Sequence, residues 1–174
     1  VVQLEGRPAD ARGKGQITIR DLFKATLRMR PDRIVVGEIR GGEALELIQA
    51  MTSGHGGCMS TVHASYPKDT LSRLETMALM SSVELPLSAL RSQIGSAIDI
   101  IVQLTRLSDG KRKVTSVAEV TGMEGDVIVM QDVFSFEQTG VADGKILGRL
   151  KPTGIRPKFT EKLEVMGIHL PPGL

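Results

Sequence analysis

Apolar positions along the chain change their period near residue 99, from runs spaced as in helices and buried strands to the alternation of half-buried strands. Residues 1–4 (Val-Val-Gln-Leu) predict a short strand, and residues 5–15 a polar, Gly-rich loop. Thr18-Ile19-Arg20-Asp21 fits a capping box, in which hydroxyl and carboxylate each satisfy a free amide of the first helical turn. The helix it opens is expected to reach Arg30, because Pro31 cannot continue it. Ile19, Leu22, Phe23 and Thr26 form its apolar side; Asp21, Lys24 and Arg28 fall on another face. Residues 33–37 (Arg-Ile-Val-Val-Gly) are a short β-branched run of the kind buried on both faces of a parallel sheet, with Glu38 at its C-terminal end. After Gly41-Gly42, residues Ala44, Leu47, Ile48 and Met51 predict a second amphipathic helix that stops at Gly54. Another strand is expected over 58–63. Strand, helix and strand at this spacing make a βαβ unit, so the fold class is α/β.

Pro67 opens a helix with Leu71, Leu74 and Met77 or Ala78 inward, and Pro86 opens another with Leu87, Leu90, Ile94 and Ile98. Beyond Asp99, strands are predicted over 100–107, 114–121, 127–136 and 145–150. The turns between them read Ser-Asp-Gly-Lys, Glu-Gly-Asp and Asp-Gly-Lys, which makes an antiparallel meander. A short helix is expected over 157–168, before Pro171-Pro172. The expected division is 1–98 and 99–174.

Composition narrows the class. With 174 residues, 41% hydrophobic and 24% charged, the chain is globular rather than disordered. Its 22 basic and 20 acidic residues leave a net charge of +2, which gives no case for nucleic acid as the main partner. Aromatic residues are 3% with no Trp, so stacking platforms for single strands are not expected either. The charge is uneven, however: residues 1–40 hold nine Lys and Arg against five Asp and Glu, an excess that suits an anion such as a nucleotide phosphate. Cys58 is the single cysteine, which excludes an internal disulfide and fits a reducing cytoplasm. No apolar run approaches the roughly 20 residues of a membrane-spanning helix. The opening Val-Val-Gln-Leu-Glu reads as a strand entered in mid-protein, so a fragment of a longer chain is expected.

The chemistry concentrates in two segments. A carboxylate at the C-terminal end of a parallel strand, as Glu38 is here, points into the crevice where such sheets bind ligands. In phosphoryl transfer an acid there holds Mg²⁺ through water and orients the attacking water. Residues 52–64 then place His55 in a Gly-rich turn and His63 at the end of the next strand, on the same sheet edge as Glu38. A histidine there can donate a hydrogen bond to a γ-phosphate oxygen. His55, Cys58 and His63 match no common zinc spacing, and Cys58 reads as a small core residue rather than a nucleophile.

Gly-Glu-Ile-Arg-Gly at 37–41, followed by Gly-His-Gly-Gly at 54–57 and Thr-Val-His-Ala at 61–64, resembles the Walker B and histidine boxes of the type II/type IV secretion ATPase superfamily. The stretch around Arg30-Pro31-Asp32-Arg33, with residues 108–116, 122–126 and 153–159, most resembles its CpaF-like branch, the tight-adherence (Flp pilus) ATPases. The resemblance implies a partial RecA-like P-loop NTPase core, a helical layer and a C-terminal antiparallel β extension. It implies ATP and Mg²⁺ as cofactors, with Glu38 as the Walker B acid acting on Mg²⁺ through water and on the lytic water. His63 would contact the γ-phosphate, His55 would order its loop, and Arg28 with Lys24 would approach the nucleotide phosphates. Arg40 and Glu43 match motif positions with structural roles. The implied whole is a homo-hexameric motor, peripheral at the cytoplasmic side of the inner membrane beside platform proteins, that couples ATP hydrolysis to pilin assembly or protein secretion. No Gly-x-x-x-x-Gly-Lys-Ser/Thr occurs in the 174 residues, so they are expected to be inactive by themselves. Two alternatives stand beside this reading: a non-enzymatic docking or regulatory module, and a conjugation-type ATPase that translocates DNA.

Overall fold

The structure, a computed structural model, describes residues 1–171 and forms two compact units. One comprises Val1–His63 with Ser72–Ala97; the other comprises Ala64–Leu71 with the described residues from Ile98 onward. The second half of the expected Pro171-Pro172 stop lies outside the described residues.

In the first unit, helix α1 (Ile19–Leu27) begins with the expected capping box: Thr18 accepts from the Asp21 amide, and Asp21 accepts from the Thr18 amide at 2.9 Å. It ends three residues before Arg30, which takes a left-handed φ of 50° ahead of Pro31. Strand β1 (Val35–Val36) pairs in parallel with β2 (Met59–Ser60), and helix α2 (Glu43–Thr52) forms the crossover. Pairing extends past both strands, since Met59 N donates to Ile34 O and Ile39 N to Thr61 O. Gly54, at φ 94°, supplies the left-handed turn after α2. Helix α4 (Leu87–Ala97) and the later part of α3 (Pro67–Leu79) complete the layer. Ala44, Leu45, Leu47, Ile48, Leu90 and Ile94 are almost wholly buried and make its core. Arg20 of α1 also donates through Nε to buried Glu46 of α2.

Two expectations fail in this unit. Residues 1–4 form no strand, because no neighbouring strand offers them a ladder. The β1 run is not buried on both faces: Ile34 and Ile39 are covered, but Val35 is 68% exposed, since the sheet has two strands among the described residues.

In the second unit, β3 (Ile100–Arg106), β4 (Arg112–Glu124), β5 (Val127–Ala142) and β6 (Lys145–Pro152) form the expected antiparallel meander in chain order. Bulges interrupt the ladders near Gln103, Ala118, Val120 and Gln138. Gly148 has no room for a side chain, because a Cβ there would meet Glu137 O and the Phe136 ring at 2.5 Å. Helix α5 (Thr160–Val165) is shorter than the expected 157–168. Buried Glu119 holds its start: the carboxylate accepts from Lys158 N at 3.1 Å, Phe159 N at 3.2 Å and Gln131 Nε2 at 3.0 Å.

Candidate functional site

The parallel pairing of β1 with β2 carries both strands to the same edge, and the chain after each strand supplies one side chain of the site. After β1, Ile39 turns into the core while Glu38 stays at the surface with its side chain 24% exposed. After β2, Thr61 Oγ1 donates to Gly37 O at 2.5 Å, which fixes the two segments against each other. His63 follows, and its Nε2 lies 2.7 Å from Glu38 Oε1. That distance is within hydrogen-bonding reach, and the contact favours the carboxylate form of Glu38. Arg40 takes the other oxygen, donating from a guanidinium nitrogen to Glu38 Oε2 at 2.5 Å. Glu43 steadies this corner by accepting from the Arg40 and Gly41 amides at 2.8 and 3.1 Å.

The electrostatics follow. The Arg40 guanidinium holds the Glu38 carboxyl below the ordinary glutamate range, with a smaller contribution from His63; partial burial opposes them. Glu38 is therefore a carboxylate at neutral pH. Its Oε1 is covered and lies against His63 Nε2, while Oε2 is held by Arg40. A carboxylate at the C-terminal edge of a parallel strand pair is of the chemistry that holds Mg²⁺ through water.

The remaining residues singled out in the sequence are placed differently. His55 lies in the loop after α2. Its amide donates to Ala50 O at 3.2 Å and its carbonyl accepts from Cys58 Sγ at 3.1 Å, so its backbone ties the loop together. Burial pushes the Cys58 thiol pKa up, which keeps it protonated. Lys24 and Arg28 are exposed on α1 and at its C-terminal cap, and no described hydrogen bond or ion pair joins either side chain to Glu38. The structure thus brings Glu38, His63 and Arg40 together; it does not bring Lys24, Arg28 or the His55 ring into that group. The grip of Arg40 on Glu38 was hinted at by their i, i+2 spacing. The structural role that the resemblance gave Glu43 takes the form of a turn cap, on the Arg40 and Gly41 amides.

The sequence pattern of the type II/IV secretion system protein family matches residues 1–150. The chain belongs to that family. Among family members and related proteins, a Mycobacterium tuberculosis protein ascribed to conjugal transfer is 38% identical over 127 residues, covering 73% of this chain and 36% of its own. Conjugal transfer protein TrbB of Rhizobium radiobacter is 41% identical over 104 residues, covering 60% of this chain and 30% of its own. The crystal structure of the VirB11 ATPase from the Brucella suis type IV secretion system, in complex with sulphate, superposes with a TM-score of 0.55 at 34% identity. It covers 58% of this chain and 31% of that one. The chain therefore spans about a third of the length of the curated relatives it matches. The fold is mixed α/β with an antiparallel sheet, and it is structurally similar to that RecA-like secretion ATPase.

Proposed function

We propose that this chain supplies the water-activating edge of a secretion-motor ATPase, with Glu38 as the acid that orients the attacking water. The observation that carries this reading is the convergence of Glu38 and His63 at 2.7 Å on the C-terminal edge of a parallel strand pair. Mg²⁺, when bound with ATP, neutralises phosphate charge as the terminal bond breaks. Glu38 holds the attacking water by accepting its hydrogen, through the Oε1 that His63 covers in this structure. His63, 84% exposed along its side chain, can swing from Glu38 to donate to a γ-phosphate oxygen. Lys24, exposed on α1, and Arg28, exposed at its C-terminal cap, would contact the nucleotide phosphates, and the His55 loop is shaped by its backbone bonds. The family's phosphate-binding loop is not among these 174 residues, so the reading is that they do not turn over ATP alone.

In the whole protein we infer a hexameric, membrane-peripheral motor working with platform proteins. The residues at 108–116, 122–126 and 153–159 favour the CpaF-like, pilus-assembling branch. A conjugation motor is the second reading, favoured by relatives named for conjugal transfer. The test is Mg²⁺-dependent ATP turnover by a polypeptide that joins these residues to a phosphate-binding loop. Glu38→Gln is expected to lower kcat at least about 100-fold while ATP binding persists. A Glu38→Gln variant as active as its parent would overturn the assignment.

A further inference from the structure

We propose that Thr61 is a positioning residue that aims the Glu38 carboxylate from the neighbouring strand, a role that rests on the reading of Glu38 as the water-orienting acid. The β1–β2 register pairs Val35 with Met59 and Val36 with Ser60, so one step further Gly37 stands opposite Thr61. Met59 N donates to Ile34 O at 2.9 Å, and a regular parallel ladder continued from that bond brings the Glu38 amide to Thr61 O. The amide bonded there is instead that of Ile39, one residue later, at 3.2 Å. The β1 side therefore carries an extra residue against Thr61, as in a bulge, a device that re-aims a side chain where pairing ends. The Thr61 hydroxyl closes the other side of this irregularity by donating to Gly37 O at 2.5 Å. One residue of the second segment thus grips the backbone immediately before and immediately after Glu38.

The grip decides where the acid points. Ile39 is turned into the core, which leaves Glu38 facing the strand edge. The groups that meet its carboxylate do not set that direction by themselves. Arg40 and His63 reach it with side chains 78% and 84% exposed, and a solvated partner follows an acid more than it fixes one. Thr61 also stands two residues before His63, so the same grip anchors the segment from which His63 reaches Glu38. Threonine suits the place: its β-branch favours extended backbone, and its hydroxyl supplies the donor for Gly37 O. Valine has the same shape without the donor, and serine has the donor without the branch. A displacement of a reacting group on the order of 1 Å costs up to about 100-fold in rate, so a loosened backbone at Glu38 is a catalytic loss even where ATP still binds.

The test compares Thr61→Val with Thr61→Ser. In the full 174-residue chain, hydrogen exchange of the Ile39 amide is expected to be about tenfold faster in Thr61→Val and parent-like in Thr61→Ser. In a polypeptide that also carries a phosphate-binding loop, Thr61→Val is expected to lower kcat about tenfold with KM for ATP unchanged, and Thr61→Ser to keep most of the turnover. Added to Glu38→Gln, Thr61→Val is expected to cost nothing further, because no carboxylate is left to aim. The role is overturned if Ile39 exchange does not respond to Thr61→Val, if the loss falls on KM, if serine fails as valine does, or if the effects of Thr61→Val and Glu38→Gln multiply. A Glu38→Gln variant that keeps its turnover overturns the catalytic reading and this role with it. An inactive Glu38→Gln beside an unimpaired Thr61→Val overturns this role alone.

Discussion

At the residue scale, two carboxylates show how environment decides what an acid does. Glu38 and Glu119 each sit in or beside a strand, yet Glu38 stays part-exposed between a guanidinium and an imidazole, whereas Glu119 is buried. Burial of a charge is tolerated only where donors replace water, and Glu119 has three: two backbone amides at the start of α5 and the Gln131 side chain. Removing it leaves those donors without an acceptor. Glu119→Ala is therefore expected to destabilise the second unit by about 3 kcal/mol or more in urea unfolding. It should also expose Lys158 and Lys162 to trypsin. An unchanged unfolding midpoint and digestion pattern would show that the carboxylate does not hold the tail. Little in the sequence announced this acid: Val117-Ala118-Glu119-Val120 reads as an ordinary strand, and its two backbone donors lie about 40 residues away.

At the scale of elements, local signals were the legible ones. The capping box of α1, the Pro-initiated α3 and the three Gly-containing hairpin turns depend on residues within a few positions of one another, so sequence alone places them. What could not be read depends on partners. A strand is defined by its neighbour, which is why residues 1–4 form none and why β1 leaves Val35 exposed. Strand β5 runs six residues beyond its expected end, because β6 pairs with polar Glu137 and Gln138 and, past a bulge at Thr139, with Gly140 to Ala142 regardless of hydropathy. The tie between the β3–β4 turn and β6 carries a pH prediction. Amide bonds from Ile146 and Lys111, aided by the Lys111 and Lys113 charges, hold the Asp109 carboxyl below the ordinary aspartate value. A pKa depressed in the folded state contributes stability above the unfolded value, near pH 4, and loses it as pH falls through the folded value. The gap between urea midpoints at about pH 7 and about pH 3 should accordingly narrow in Asp109→Asn. A gap as wide as the parent's would mean the tie carries no linkage.

At the scale of the molecule, the candidate site was half legible. Glu38 and His63 were placed on one edge by strand order, and the structure sets them 2.7 Å apart. The approach of Lys24 and Arg28 to that edge was inferred from resemblance, and in the structure both remain exposed on and just past α1. The central claim is that Glu38 and His63 act as one site in ATP hydrolysis. The most direct measurement is a double-mutant cycle on kcat, in a polypeptide that includes the phosphate-binding loop, with Glu38→Gln, His63→Ala and both together. Residues that act as a unit are non-additive, so the double variant should be about as slow as Glu38→Gln alone. Multiplying effects, or a Glu38→Gln variant that keeps its turnover, would contradict the account.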